Sequence, residues 1–415
     1  MIVLFAGVSF RSVPRILSLF LQQGAEWIPH FTSVINWTLR IGLALLSQVA
    51  PIDDSWVAIL DHSIDIGIKK VLVVLRVRFD ALQKKGTALT LQDCQCIGLQ
   101  ISEKTDGETV AAGLKEIFAN SGAPVAIIKD GGGDLARGVD LWREQEEQKK
   151  VVVIEDIGHV VANALKAQYA KSKLFQQFLE IVNRCAKRLR QTKLAFLAPP
   201  KLRTKGRFQG IAKFAAWAEK IIEALDETRH DQQFDKLRTS LIGLSAVKSF
   251  ICQFAKSVLT TSEIMRVLKN EGLNRDTYHR CKQLAKTLPE RSIVKARILM
   301  WLEKHFQIHC RLGVGQMPLI VSSDIIESLF GKFKSILDRG SMLDMNRSVL
   351  LIPALCASPN DTVINEALAA TKHQDLANWD LANVPCTQNR RRHAFLRGKP
   401  PSWVPKTGNS TYEIG

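Results

Sequence analysis

Several features that mark other classes of protein are missing from this 415-residue sequence. Its eight cysteines are scattered and form no Cys-x-x-Cys pair, which argues against a disulfide-bonded secreted protein. No apolar run reaches the roughly 18 residues that a membrane span needs. The apolar start of the chain has no basic residue before Arg11, unlike a secretory signal. These absences predict a cytoplasmic protein with reduced thiols and no membrane partner.

Acidic residues are scarce relative to basic ones. The chain has 57 Lys and Arg against 40 Asp and Glu, which gives a formal net charge of +17. Such a surplus indicates a polyanionic partner, and nucleic acid is a better match than a membrane surface. The alternative is charge that serves only solubility, which rarely needs an excess of this size.

Hydrophobic patterning predicts an α/β core. Residues 56–60 are apolar with a β-branched bias, typical of a short buried strand, and this strand ends on Asp61. The second strand-like run is close enough in sequence to form a hairpin with the first. The order of strands and helices predicts a mixed sheet with helices on its faces. The remaining strand-like runs are 71–78, 96–102, 124–129 and 151–154, and the helical patterns cover 106–119 and 133–145.

Helical periodicity dominates the rest of the chain. Residues 160–312 contain no convincing strand and are predicted to form an all-helical insertion. Residues 33–40 have the small polar residues, tryptophan and arginine typical of a recognition helix, although two packed helices without DNA contact would fit nearly as well. The predicted domains are a helical, helix-turn-helix-like unit (1–50), the first part of the α/β core (51–160), the helical insertion (161–320), a core helix (321–345), and C-terminal helices with a basic, poorly ordered tail (346–415).

Three carboxylates are candidates for one site. Asp61 and Asp130 each follow a predicted strand, and Glu327 lies near the start of a later helix. Carboxylates that meet in one place form a hard, oxygen-rich site suited to Mg²⁺ or Mn²⁺. The alternative for the two aspartates is a role in turns, and the alternative for Glu327 is a capping box with Asp324. The positive charge of the chain favours the metal site over these alternatives.

The glycines after Asp130 support a rival interpretation. Gly131-x-Gly133-x-x-Ala136 follows a predicted strand and opens a helix, and an acidic pair, Glu155–Asp156, comes about 20 residues later. This is nearly the full fingerprint of an NAD(P)-binding Rossmann enzyme. It leaves Asp61, Glu327 and the net charge unexplained, so we treat it as the alternative.

Other polar residues suggest contacts to phosphate. Asp156-x-x-His159 sits where a strand gives way to a helix, and it predicts either a helix N-cap or a histidine beside the carboxylates. On the helix that carries Glu327, the residues Ser323, Gly331 and Lys334 fall on the same face as the glutamate. Two basic clusters lie in the helical insertion. Residues 184–193 are also explained by a solvated helix face, whereas the loop 201–207 joins basic residues to prolines and glycines, which is typical of phosphate contact. His305-x₃-His309-Cys310 lacks further ligands at matching spacing, so zinc is not predicted.

The ordered set of acidic motifs resembles the DDE transposases of bacterial insertion sequences. The intervals are 69 residues (130 − 61) and 197 residues (327 − 130). The long second interval resembles members that carry an insertion domain before the glutamate helix. The motifs that carry the resemblance are, in order, Asp61, Asp130, Asp156-x-x-His159 and Glu327.

One part of the family pattern is absent. Glu327 with Lys334 matches the glutamate–lysine half of a signature of many bacterial members. Ile320 and Ser323 stand where that signature has tyrosine and arginine. The resemblance spans residues 50–345.

The resemblance implies an RNase H-like catalytic core with Asp61, Asp130 and Glu327 as catalytic residues and as ligands of two Mg²⁺ or Mn²⁺ ions. It also implies cleavage and transfer of double-stranded DNA at transposon ends by a homodimer in the nucleoid-containing cytoplasm. A transposase-derived protein that binds DNA without cutting it is a further alternative. The residues expected to contact DNA are His159, Lys334, Lys201, Arg203, Lys205 and Arg207.

Overall fold

A computed structural model describes residues 1–21, 27–64, 70–202, 206–226, 232–337, 346–356, 360–384 and 388–398. The chain divides into two compact units, of which the first combines Met1–Phe79, Leu89–Val151 and Ser323–Gly415. The second combines Asp80–Ala88 with Val152–Ser322. No helix within the described ranges is both long and apolar enough to cross a membrane.

The strands form one mixed sheet, as predicted. Its order is β3-β2-β1-β4-β5, so the first three strands make a meander. The β1 strand pairs antiparallel with β2 and parallel with β4. The β2 strand is buried along most of its length because its β-branched residues pack on both faces. The strand bounds are β1 Trp56–Ile64, β2 Lys70–Arg78, β3 Cys94–Ser102, β4 Ala126–Lys129 and β5 Val152–Glu155.

Helices account for most of the remaining described chain, and the described residues between β5 and residue 312 form helices joined by loops, with Leu273 in an isolated bridge to Leu319. The N-terminal apolar run, predicted only as non-secretory, forms a short helix, and residues 388–396 of the predicted disordered tail are helical. The helices are α1 Ile2–Ala6, α2 Ser12–Phe20, α3 Phe31–Ser47, α4 Phe79–Lys85, α5 Gly107–Ser121, α6 Gly133–Gln145, α7 Ile157–Tyr169, α8 Lys173–Arg190, α9 Ala212–Asp226, α10 Gln232–Leu241, α11 Lys248–Glu271, α12 Arg275–Lys286, α13 Ile293–Leu312, α14 Asp324–Leu337, α15 Leu351–Cys356, α16 Asp361–Ala370, α17 His373–Asn383 and α18 Gln388–Leu396.

The α3 helix, which contains the predicted recognition segment, packs into the first unit. It contacts α15, α16 and α17, and Thr38 is buried and donates a hydrogen bond to the carbonyl of Val34. The Arg40 guanidinium donates to the carbonyls of Thr371 and Leu368 at the end of α16. This arginine therefore holds two helices together, and the helix-turn-helix interpretation stays a prediction.

An aromatic cluster forms much of the core of the second unit. Phe175 and Phe178 lie one turn apart on α8, and both are fully buried. Their ring centroids lie 5.4 and 6.0 Å from that of Phe254 on α11. Aromatic pairs at such distances add about 0.5–1.5 kcal/mol beyond their buried area. The strong segregation of apolar and basic residues on α8 leaves its other face for charged side chains.

The cysteines of the described ranges are free thiols, and most of them are buried. Burial raises the pKa of Cys96 to about 12, and burial likewise raises that of Cys281 to about 12. Such thiols stay protonated near neutral pH and behave as small apolar side chains.

Candidate functional site

The parallel pairing of β1 with β4 places Asp61 and Asp130 at neighbouring positions. The last paired residues are Leu60 and Lys129, and each aspartate is the next residue in its chain. Adjacent strands lie roughly 4.8 Å apart. From β1 the chain first adds β2 and β3 on one side and then β4 on the other. Ligands in open α/β sheets bind at the carboxyl ends of strands where the order reverses in this way.

Local hydrogen bonds hold both aspartates. Oδ1 of Asp61 accepts from the backbone N–H of His62 at 2.7 Å. Oδ1 of Asp130 accepts from the N–H of Gly132 at 2.8 Å, which fixes the turn into α6. Both aspartates are half-buried. Each carboxylate is therefore oriented by the backbone beside it.

Two neighbours of these aspartates were not singled out from the sequence. Lys129 is only 5% exposed, and its Nζ lies 3.4 Å from the carbonyl oxygen of Asp130. The pKa of His62 is lowered, first by burial and then by Lys70, while Asp130 and Asp134 act in the opposite direction. Lys129 and His62 each stand next to a predicted aspartate in the sequence, and this adjacency is the signal that could have identified them as site residues.

Glu327 and Lys334 are exposed on α14, and this helix contacts β1. The helix begins at Asp324, and the carbonyl of Ser323 accepts from the N–H groups of Ile326 and Glu327 at 2.9 and 3.4 Å. Glu327 is thus the fourth helical residue, one beyond the capping-box position.

The donor chemistry of the aspartate pair fits a divalent metal ion. Carboxylate oxygens are the ligands that Mg²⁺ and Mn²⁺ prefer, and two of the predicted three stand one residue past the last β1–β4 pair. The β1 strand itself runs on to Ile64, so Asp61 does not end it as predicted. In the described part of the chain, no three His, Cys, Asp or Glu side chains are grouped as a metal site. The structure sets the positions of Asp61 and Asp130 side by side, whereas Glu327 is exposed on a helix that contacts β1 and is not grouped with them.

The contacts of the glycine segment favour the carboxylate site over dinucleotide binding. The N–H of Gly132 is bonded to Asp130, and a Cβ on Gly132 would lie 2.9 Å from the same carboxylate oxygen. In addition, β1, β2 and β3 are antiparallel neighbours, whereas a Rossmann sheet is mostly parallel and carries its glycines after the first strand. Here the glycines follow the fourth strand.

In the second unit, Asp156 caps α7 and orients His159. Oδ1 of Asp156, which is 3% exposed, accepts from the backbone N–H of His159 at 2.8 Å and lies 3.3 Å from its Nδ1. Nε2 of His159 lies 3.1 Å from Nε2 of Gln209. The predicted N-cap is confirmed, and the same carboxylate also fixes the imidazole ring.

The two histidines of α13 are structural. His305 is fully buried, and its Nε2 accepts from the N–H of Glu155 at 3.0 Å. Nε2 of His309 lies 3.0 Å from the carbonyl oxygen of Met317, to which it donates. The expectation that they bind no zinc agrees with these bonds, since each ring has its own partner.

A concave basic pocket of about 350 Å³ joins two of the predicted basic clusters in the second unit. Lys201 and Arg207 from the loop and Arg190 from the end of α8 line it, together with Asn183. The described residues around the pocket include no acidic side chain. Arg203 and Lys205 lie outside the described residues. The pocket thus has the charge expected of a phosphate contact.

No protein-family model and no curated protein sequence matches the chain. Among solved structures, it is similar to the Drosophila P element transposase strand transfer complex. The TM-score is 0.45 with 13% identity, over 84% of this chain and 90% of that chain.

Proposed function

We propose that the chain is a DNA transposase whose first unit has an RNase H-like core. The observation that carries this proposal is the parallel register of β1 and β4, which sets Asp61 and Asp130 side by side at the point where the strand order reverses. The glutamate helix α14 contacts β1, and the net charge of +17 suits a polyanionic substrate. The order of the acidic motifs adds further support.

Asp61, Asp130 and Glu327 would hold Mg²⁺ or Mn²⁺, and the ions would supply Lewis-acid stabilisation of a phosphodiester under in-line attack. The chain itself contributes orientation. The N–H groups of His62 and Gly132 fix the two aspartates, and positioning dominates phosphoryl transfer. Lys334 lies two turns after Glu327 on α14, where its ammonium group could pair with DNA phosphate.

In the second unit, His159 and the basic pocket would contact the DNA backbone. Asp156 holds Nδ1 of the His159 ring, so a phosphate oxygen would meet Nε2, replacing Gln209 there and accepting from a proton on that nitrogen. Two transposon ends must be paired for transposition, so we propose a homodimer on DNA. We also propose that the protein acts in the nucleoid.

Replacing Arg190, Lys201 and Arg207 by Gln is expected to weaken DNA binding about equally for all sequences. Each lost phosphate contact should reduce the magnitude of the slope of log K against log salt concentration by about 0.9. The slope of the triple variant should therefore be smaller in magnitude by about 2 to 3. Fluorescence anisotropy with duplex DNA over a salt series measures this slope. A matched control changes Arg238, Lys248 and Arg266, which already pair with acidic side chains. An equal change of slope in both triple variants would argue against a phosphate role for the pocket.

The function itself is tested with the unmodified chain and duplex DNA that carries the repeats flanking its gene. We expect strand cleavage that requires Mg²⁺ or Mn²⁺ and stops with EDTA. DNA binding without cleavage would instead support a catalytically dead, transposase-derived DNA-binding protein. Tight NAD(P) binding in a fluorescence titration would support the dinucleotide alternative.

A further inference from the structure

Side chains of the α13 helix bind Glu155, the last residue of β5 before the junction with α7, within the second unit. The N–H of Glu155 donates to Nε2 of His305 at 3.0 Å, and the carbonyl of Glu155 accepts from Nε1 of Trp301 at 3.0 Å. The carboxylate of Glu155 pairs with Nζ of Lys304 at 3.1 Å. His305 is 0% exposed and Trp301 is 3% exposed. Both backbone groups and the side chain of Glu155 are thus bound by one turn of helix.

These bonds define the protonation pattern of His305. Its Nε2 faces an N–H donor, so that nitrogen must be an acceptor. The proton therefore resides on Nδ1, which lies 2.8 Å from the carbonyl oxygen of Trp301. The imidazole also stacks on the Trp301 ring, with centroids 4.2 Å apart and planes 19° apart. The ring has neither rotational nor tautomeric freedom in this arrangement.

Glu155 immediately precedes Asp156, the residue that orients His159. On the other side of Asp156, the N–H of Ile157 donates to the carbonyl of Val321 at 3.0 Å. The backbone is therefore held on both sides of Asp156. Because the Asp156 carboxylate binds both the N–H and the ring of His159, any shift of Glu155 would be passed to that ring.

We propose that His305, supported by Trp301, is a positioning residue that sets the orientation and tautomer of His159. The inference rests on the proposed function, in which His159 contacts DNA phosphate. Asp156 can accept a hydrogen bond from Nδ1–H of His159 only while the junction keeps its place. The amide N–H of Gln209 then donates to Nε2 of His159. The arrangement thus fixes His159 with Nδ1–H in the DNA-free protein.

The direct test is the ring ¹⁵N spectrum of His159 in the full chain, assigned by its loss in His159→Gln. We expect the unmodified protein to show the Nδ1–H tautomer. His305→Phe keeps a planar ring but removes both ring nitrogens, so the His159 signals should shift toward a tautomer mixture. His305→Gln retains an acceptor for Glu155 and should restore most of the original spectrum. His309→Phe is the matched control, because it removes another buried histidine of α13 that bonds only Met317.

Unchanged His159 signals in folded His305→Phe would overturn the proposal, as would an equal shift in His309→Phe. If His305→Phe does not fold, Trp301→Phe removes the indole N–H that holds Glu155 but keeps an aromatic ring, and it must shift the same signals. Cleavage or DNA affinity should fall by up to about 100-fold in His305→Phe, with little further loss when His159→Ala is added. If the unmodified chain cuts no DNA, the proposed function fails, while the spectrum still decides whether His305 positions His159.

Discussion

Replacing Asp130 by Asn is expected to abolish metal-dependent DNA cleavage while the protein stays folded. The amide oxygen of Asn can still accept the hydrogen bond from Gly132, so the turn into α6 is preserved. The charged ligand oxygen is lost. Changes in residues that merely support metal ligands cost about 10- to 100-fold, so loss of a ligand should cost more than about 100-fold. Asp61→Asn and Glu327→Gln should have the same effect if all three residues share one site.

Cleavage rate, DNA affinity and Mn²⁺ binding by electron paramagnetic resonance should be measured on the same samples. We expect cleavage and Mn²⁺ binding to fall together, with DNA affinity largely kept. Asp140→Asn is the matched control, since Asp140 is an exposed aspartate on α6 that pairs with Arg143. Full cleavage by any one of the three site variants would show that its residue is not a ligand.

Replacing Gly42 by Ala is expected to destabilise the first unit by about 3 kcal/mol. A Cβ at this position of α3 would lie 1.7 Å from the carbonyl oxygen of Leu350, which is backbone and cannot rotate away. Leu350 is fully buried, so α3 and the segment that leads into α15 would have to separate. Urea denaturation, followed by circular dichroism, measures the loss of unfolding free energy.

Replacing Gly331 by Ala is expected to have the opposite effect on the same unit, an increase in its unfolding free energy. Gly331 is exposed on α14, and nothing lies within 4 Å of an added Cβ. Alanine should therefore stabilise the helix by about 0.5–1 kcal/mol. Similar unfolding free energies for the two variants would show that the contact of Gly42 with Leu350 does not limit the packing of α3.

The predictable part of the fold came from local patterns. The apolar run before Asp61 and the β-branched β2 segment each predict a strand from their own residues. The hairpin predicted from these two strands is present. The α4 helix was missed because residues 79–85 supply barely two turns of pattern. Thr371 and Lys372 separate α16 from α17, and nothing as strong as proline or glycine marks that break in the sequence.

What escaped prediction depends on long-range contacts. Arg40 looked like part of a DNA-reading helix, yet its guanidinium binds carbonyls more than 300 residues later in the chain. No role was predicted for His305 beyond the absence of zinc, and its partner is the N–H of Glu155, 150 residues away. Arg190 and Lys201 belonged to separate basic clusters until the loop folded against α8. The adjacency of Asp61 and Asp130 also depends on a long-range pairing, the parallel register of β1 and β4, and β1 runs three residues past Asp61, where the sequence predicted its end.

Because the first unit is discontinuous in sequence, its segments are synthesised at different times and in a fixed order. Asp61 and Asp130 are synthesised before residue 152, whereas Glu327 follows the 171 residues from Val152 to Ser322 (322 − 152 + 1). At about 5–20 residues per second, this stretch takes roughly 10 to 35 s to synthesise. During that interval the nascent chain carries two of the three proposed ligands. A chain interrupted there would lack the glutamate helix, so cleavage would begin only after the second unit has been made.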